Sequence, residues 1–255
     1  GRLISLDSEK TAALCFDTEF MRVAAAWTEG YVDWQGAFKN MGPAVKGKVH
    51  FTTRVGPGWA KDGSFDDPRN PKEGPLPADW ARYNGLYLHG DRVVLDYSVG
   101  DCQVLESPGF ASTGQIAAIT RTLNLGPTKT AQQVLVCDAP QATGEAHAAT
   151  ASLNTPTGIV LAGVVNAPQG ATFAIDQGRL VFKLPPLPQG ARFKLVMSNV
   201  GEDASASLGS LLGGTVEDLS QFTKGGPPRW PQLVETKGTL GKEDGPYVVD
   251  TLTAP

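Results

Sequence analysis

The sequence is poor in charged side chains. Asp, Glu, Lys and Arg make up 19% of the 255 residues, and 22 basic side chains against 26 acidic ones give a formal net charge of −4. This charged fraction is below the average for globular domains, which disfavours a helical bundle with its large solvated surface. The mild excess of acid disfavours nucleic acid and anionic membrane as partners, and we expect neither.

Cysteines and long apolar runs are also scarce. The three cysteines, Cys15, Cys102 and Cys137, form no C-x-x-C or C-x-x-C-H spacing, which excludes a zinc ribbon, a thioredoxin-type pair and c-type haem attachment. They stand in apolar runs or strand candidates, so we predict buried thiols. The longest apolar run, residues 158–165, is too short to cross a membrane, and no membrane insertion is expected. Without clustered ligands or a nucleotide motif, we predict no metal and no cofactor in this chain.

Glycine and proline are abundant, with 30 and 19 copies. They separate runs of alternating apolar and polar residues, the pattern of an antiparallel all-β protein. In residues 86–106, two-residue turns at 90–91 and 100–101 would pair His89 with Arg92 and Val99 with Cys102. Alternation then predicts a core face and a polar face. The core face would carry Leu86, Leu88, Val93, Leu95, Tyr97, Val99, Cys102 and Val104, and the polar face Tyr87, His89, Arg92, Val94, Asp96, Ser98 and Gln103.

A second meander has its turn at Gln177-Gly178, which would pair Phe173 with Phe182 and lead to a strand through Phe193. The dozen or so strands predict a large antiparallel two-sheet sandwich, with a mutarotase-like super-sandwich as an open alternative. One or two short helices are expected near the C-terminus, at residues 203–212 and after 215–218. Residues 1–231 would form the sandwich domain, and residues 232–255 closing strands or an exit segment towards a following domain. The further strand candidates are residues 12–17, 22–27, 48–54, 115–125, 132–137 and 159–165.

The segment 54–83 is long for a connection inside a compact domain, and such loops are often functional. Its aromatic and charged residues could stack on a sugar ring and hydrogen-bond its hydroxyls; the alternative is a structural cover over one sheet. We predict that this segment, the aromatic loop, folds over the polar face of the first meander and places Trp59 or Trp80 beside His89. The candidate saccharide-binding residues are Trp59, Asp62, Asp66, Arg69, Trp80, Tyr83, Tyr87, His89 and Arg92.

An enzyme is the alternative function. His89 and Arg92, together with the loop carboxylates Asp62 and Asp66, could act as acid, base and charge neutraliser in a mutarotase, polysaccharide lyase or glycosidase. The competing interpretation is a solvated strand face without catalysis. We expect this chain alone to be non-catalytic.

Several separated motifs resemble an uncharacterised domain family found near the N-terminus of very large exported bacterial proteins. In that family the domain commonly precedes a β-propeller resembling sugar dehydrogenases and a c-type cytochrome module. The motifs are CFDT at 15–18, RVAAAW at 22–27, RVGPGWA at 54–60, PLPADW at 75–80, GLYLHG at 85–90, TRTL at 120–123 and TKGGPPRWP at 223–231.

The resemblance implies an extracytoplasmic location, periplasmic or secreted, and adjacent propeller and cytochrome modules as partners in the parent chain. It places c-type haem only in those neighbouring modules. Combined with the residues above, it predicts a non-catalytic module that recognises saccharide or docks its propeller.

Overall fold

The computed structural model describes residues 1–34, 43–113, 116–200, 208–228, 232, 235–242 and 248–253. Within these ranges the chain is built from strands, all paired antiparallel, and two single turns of 3-10 helix. The strands are β1 Arg2–Ser5, β2 Ala12–Asp17, β3 Arg22–Thr28, β4 Val32–Asp33, β5 Ala44–Val45, β6 Lys48–Thr52, β7 Ala81–His89, β8 Arg92–Val99, β9 Cys102–Ser112, β10 Ala117–Leu125, β11 Gln132–Asp138, β12 Gly144–Ala146, β13 Thr150–Thr155, β14 Gly158–Val165, β15 Thr172–Asp176, β16 Arg179–Leu184, β17 Ala191–Val200, β18 Lys237–Thr239 and β19 Thr251–Thr253.

One large sheet and two smaller ones form the sandwich. The large sheet has eight strands in the order β12-β13-β14-β17-β10-β9-β8-β7. A four-stranded sheet, β1-β2-β3-β6, and a three-stranded sheet, β11-β16-β15, contribute to the same core. The predicted all-β sandwich is confirmed, but the second layer is divided between two sheets.

A single apolar cluster lies between these layers. It combines side chains of all three sheets, such as Phe16, Phe182 and Leu195, and none of these three has any exposed surface. Burying a large apolar side chain contributes roughly 1.5 to 3 kcal/mol, so this cluster is the main source of stability. We call the side of the large sheet that faces it the inner face, and the opposite side the outer face.

Both predicted meanders have the expected register. His89 pairs with Arg92 and Val99 with Cys102 in the first, and Phe173 pairs with Phe182 in the second. Leu88 is a correction: it points to the inner side but is 49% exposed, because it lies near the tip of the β7–β8 hairpin at the sheet edge. In both meanders the register is set by two-residue turns that contain glycine at positive φ.

The outer face of the large sheet is covered by residues 208–228, which we call the C-terminal strap. The first 3-10 turn, Leu208–Leu211, packs on one end of this face with Val196, and the second, Leu219–Phe222, contacts β7 and β9. The second turn follows residues 215–218 as predicted, with Asp218 as its N-cap, but both turns are shorter than the helices that were expected here. Longer helices are not needed to bury the leucines of the strap, because the strap lies flat on the sheet and the leucines contact the sheet directly from short turns. The start of the predicted helix at 203 lies outside the described residues.

The end of the described chain forms a separate two-stranded hairpin, β18–β19, in which every strand residue is exposed. No helix in the described ranges is long and apolar enough to cross a membrane.

Candidate functional site

The two tryptophans of the aromatic loop lie in the core. Trp59 has no exposed surface and Trp80 is 5% exposed. Their indole N–H groups are satisfied inside: Trp59 Nε1 donates to Tyr97 Oη at 3.3 Å, and Trp80 Nε1 donates to the Trp59 carbonyl oxygen at 2.9 Å. Tyr97 is on the inner face, so the prediction that this loop lies over the face carrying His89 is wrong. Neither tryptophan can act as an exposed stacking platform.

Residues 60–66 of the aromatic loop cover the three-stranded sheet. Phe65 is buried against the side of that sheet away from the core, and Asp66 lies 3.6 Å from the Arg179 guanidinium there. Asp62 occupies the neighbouring turn, with a φ of 52°. These carboxylates are therefore on the opposite surface of the sandwich from His89, and the four candidate catalytic residues do not form one site.

Arg69 folds the aromatic loop onto itself. Its guanidinium forms hydrogen bonds to both oxygens of Asp67 and to the carbonyl of Pro75. Hydrogen bonds from Arg69 lower the pKa of Asp67. The saccharide role predicted for Arg69 is thus replaced by a role in loop structure.

A fully buried polar network crosses the core beside Trp59. Arg121 Nε and Nη2 donate to the two oxygens of Glu106 at 2.6 and 3.0 Å, and Nη1 donates to the Leu135 carbonyl at 2.9 Å. Tyr97 Oη donates to Glu106 Oε2 at 2.6 Å. Arg121, Glu106 and Tyr97 all have 0% exposure.

This network connects the two layers, since Leu135 belongs to β11 and the other partners to the large sheet. Burial, followed by the Glu106 carboxylate, raises the pKa of Tyr97 well above its ordinary value. Burial opposes the charge on Arg121, but the Glu106 carboxylate outweighs it and raises the pKa of Arg121. The alternation that places Val104 inward also places Glu106 inward, so the sequence held a signal for this network.

His89 and Arg92 bind the C-terminal strap. His89 Nε2 donates to the Phe222 carbonyl at 3.0 Å, and the two rings meet edge to face with centroids 5.1 Å apart. Because a carbonyl oxygen only accepts, the proton of His89 is on Nε2. Arg92 forms an ion pair with Glu217, and its guanidinium carbon lies 4.7 Å from the Phe222 ring centroid. The predicted solvated face is covered here.

Asn124 clamps the middle of the strap. Its amide donates to the Glu217 carbonyl at 3.0 Å and accepts from the Leu219 N–H at 2.8 Å. Further along, the Gly226 N–H donates to the Leu88 carbonyl at 2.7 Å and so pairs the strap with the edge strand β7. The strap is therefore held both by these polar contacts and by apolar packing of its buried residues Leu208 and Leu219.

The remaining predicted residues are also separated. Tyr83 is half-buried and packs against the main core. Tyr87 lies on the outer face, where its hydroxyl is 3.3 Å from Asp96 Oδ2, and the Asp96 charge raises the pKa of Tyr87. Of the nine predicted binding residues, Tyr87, His89 and Arg92 lie on the outer face of the large sheet, and the other six lie elsewhere.

A polar cleft of about 350 Å³ opens on the outer face beside the strap. We call it the hydroxyl cleft. Cross-strand pairing places Ser107, Thr122 and Lys194 in one row across β9, β10 and β17. The cleft is lined by Leu6, Asp91, Arg92, Ser107, Pro108, Gly109, Phe110, Thr120, Thr122, Lys194 and Glu217.

Three polar groups of the hydroxyl cleft have no hydrogen-bond or ion-pair partner among the described residues. The Lys194 ammonium and the Thr120 and Thr122 hydroxyls form no hydrogen bond or ion pair with any other residue that the structure describes. By contrast, Ser107 donates to the Val93 carbonyl at 2.9 Å, and Arg92 is paired with Glu217. The cleft therefore offers a cation and two hydroxyl groups to a ligand.

A second groove, of about 580 Å³, lies on the outer face beside the strap residues Asp218 and Ser220. Its cation is committed, since Arg192 lies 2.7 Å from Asp218. Asn124, which also lines it, is occupied by the strap. Unlike the hydroxyl cleft, this groove therefore has no unpaired cation among the residues that line it.

Neither the cysteines nor the described acidic side chains form a metal site. Among the described residues, no group of three or more His, Cys, Asp or Glu side chains could hold a metal ion. Cys102 and Cys137 are buried free thiols, as predicted, and burial raises the pKa of Cys102 to about 11. Cys15 is a correction: it is only half-buried, because β2 lies beside the exposed strand β1.

Residues 14–106 match a family model described as a domain of unknown function, DUF6797. The match includes the motifs from CFDT to GLYLHG and excludes TRTL and TKGGPPRWP. The hydroxyl cleft is thus built partly from the matched region, through Asp91 and Arg92, and partly from strands beyond it. No curated protein and no solved structure matches the chain significantly.

Proposed function

We propose that this chain is a non-catalytic β-sandwich module of an extracytoplasmic, multidomain protein and that it binds saccharide in the hydroxyl cleft. The observation that carries the proposal is the uncommitted set of Lys194, Thr120 and Thr122 on the floor of a polar cleft. Sugar hydroxyls both donate and accept hydrogen bonds, so a surface with donors and acceptors in one row suits them. Asp91 and Glu217 add acceptors at the opposite side of the cleft.

The geometry also favours binding over catalysis. His89 and Arg92 are the two predicted acid-base residues on this face. His89 is hydrogen-bonded to Phe222 of the strap, and Arg92 is ion-paired with Glu217. A sugar in the hydroxyl cleft would meet Arg92 as half of an ion pair rather than as a free charge.

A glycan array followed by isothermal titration calorimetry tests the proposal. We expect at least one oligosaccharide to bind, and Thr122→Val and Lys194→Met each to weaken it by about tenfold, typical of losing one hydrogen bond to a charged or well-placed group. Lys183→Met is the matched control, since Lys183 is exposed on the other layer. Equal binding by all variants, or no binding to any glycan, would overturn the proposal.

A second candidate function is docking of a neighbouring module such as the β-propeller. The hairpin β18–β19 favours it, because Leu240, Val249 and Leu252 are 84%, 75% and 73% exposed. Isolated two-stranded hairpins are marginally stable in water and gain from packing against another surface. Titration of the isolated propeller module with wild-type chain and with Leu252→Ser tests it: weaker binding by the variant supports docking, and unchanged binding opposes it.

A further inference from the structure

The hydroxyl cleft has an uneven charge distribution. Lys194 stands at one side, on β17, and the carboxylates of Asp91 and Glu217 stand at the other, beside Arg92. Arg92 is neutralised by Glu217 and stacked on Phe222, whereas Lys194 has no partner among the described residues. Among the described residues, the cleft therefore has one unpaired cation, Lys194, at one side and one unpaired carboxylate, Asp91, at the other.

The hydroxyls nearest to the free cation could complete an anion site. Thr122 is the direct cross-strand partner of Lys194 in β10 and β17, and Thr120 lies two residues along on the same face. Directly opposite residues have Cβ atoms about 4.5 to 5.5 Å apart, so one carboxylate could accept from both Lys194 and Thr122. Gly109 opposite Thr120 leaves that hydroxyl uncovered, since a Cβ there would lie 2.9 Å from Thr120 Oγ1.

The length of the cleft indicates more than one sugar ring. Lys194 is on β17 and Asp91 directly precedes β8, which is three strand spacings away, or about 14 Å across the sheet. An anionic group at Lys194 therefore leaves room for further hydroxyls to reach Asp91 and Glu217. A small free anion would use only the Lys194 side.

We infer that the hydroxyl cleft selects an acidic oligosaccharide, with the anionic group of one sugar, a uronic carboxylate or a sulfate ester, bound by Lys194 and Thr122. This inference rests on the proposed saccharide function. The neutral part of the ligand hydrogen-bonds to Asp91, and the unpaired Asp91 carboxylate repels a second anion at that side. The cleft thus distinguishes one end of the ligand from the other.

Isothermal titration with matched ligands tests the selectivity. Trisaccharides of galacturonic, mannuronic and guluronic acid are compared with their methyl esters, which keep the sugars and remove the charge, and with a sulfated galactotriose. We expect at least one acidic form to bind about tenfold or more tightly than its neutral counterpart, as for loss of a charge-assisted hydrogen bond. The uronate and sulfate arms identify which anion is taken, and binding of either supports the inference.

Variants locate the anion. Lys194→Met should abolish the preference for the acid over its ester, Lys194→Arg should retain it, and the control Lys183→Met should leave it unchanged. Thermal unfolding of each variant verifies the fold, and the ester comparison on the wild-type chain stands independently of any variant. Neutral sugars that bind as well as acidic ones would overturn the inference while leaving saccharide binding intact. Failure of every glycan, neutral or acidic, would overturn the proposed function and the inference together.

Discussion

The aromatic loop and the C-terminal strap are both irregular segments that cover a sheet, yet they are held by different forces. The loop inserts Trp59 and Trp80 into the core and satisfies their N–H groups there. The strap lies on the outer face, where it is held by Asn124, by the Arg92–Glu217 pair and by a second, smaller apolar cluster around Leu208. The comparison shows that one irregular segment, the aromatic loop, is part of the main core. The other, the C-terminal strap, packs on the outer face of a sheet whose inner face is already buried.

The largest expected effect is in the aromatic loop. Trp59→Ala should reduce the free energy of unfolding by about 4 to 5 kcal/mol, because it opens a cavity and removes a hydrogen bond to Tyr97. Urea unfolding measures this change. Trp34→Ala is the control, since Trp34 is 59% exposed. Equal losses for the two variants would contradict the core role of the loop.

The buried network beside Trp59 should be nearly as sensitive. Arg121→Met leaves the Glu106 carboxylate buried without its partner, and the expected loss is about 3 to 4 kcal/mol. The double variant Arg121→Met with Glu106→Leu removes both charges and should recover part of that loss in a double-mutant cycle. A double variant less stable than the Arg121→Met single variant would show that the ion pair is not the reason for the sensitivity.

The sandwich should also weaken in acid through His50. This side chain is 3% exposed, its Nδ1 accepts from the Asn199 N–H at 3.1 Å, and burial lowers its pKa to about 4 from 6.5. The unfolded chain binds this proton more readily than the folded one. The contribution of neutral His50 to the free energy of unfolding is therefore complete above about pH 6.5 and is lost as the pH falls to 4. The loss amounts to up to about 3 kcal/mol.

Unfolding as a function of pH tests the His50 contribution. His50→Asn should flatten the profile between pH 6.5 and 4, and His147→Asn, at an exposed position, should leave it unchanged. A wild-type profile that is flat in this window would rule out the role assigned to His50.

The smallest effect is expected in the strap. Asn124→Ala removes the two hydrogen bonds to Glu217 and Leu219, and should cost about 1 to 2 kcal/mol locally. Limited proteolysis should then cut within residues 208–228 faster, while urea unfolding of the sandwich changes little. Asn84→Ala is the control on the same sheet, because Asn84 is exposed and its side-chain amide donates to Asp96 rather than to the strap. Cleavage that stays as slow as in the wild type would show that the strap does not depend on this clamp.

Much of the fold could be predicted because its information is local. The two-residue turns at 90–91 and 177–178 determine the register of their hairpins, and glycine at positive φ makes these turns favourable. The division of the second layer into two sheets is not local. It depends on pairing between strands far apart in sequence, such as β3 with β6 and β11 with β16.

The candidate site was harder to predict because burial depends on distant partners. Trp59 is flanked in sequence by glycine, proline and charged residues, and its burial depends on apolar partners in distant strands and on the Tyr97 hydroxyl that accepts its N–H. His89 lies on a polar strand face, and its cover, Phe222, is 133 residues away. Lys194 alternates with apolar neighbours and lacks any local signal, so its place in the cleft follows only from the pairing of β10 with β17.

Native-state hydrogen exchange compares the two covers most directly. The amides of Ala60 and Leu135 tie the aromatic loop to β11, and those of Leu219 and Gly226 tie the strap to the large sheet. We predict that the first pair exchanges only by global unfolding, with a denaturant dependence equal to that of the whole protein, and that the second pair exchanges through a local opening of lower free energy. Exchange of all four amides at the same free energy would contradict the account, because the strap would then be as integral to the core as the loop.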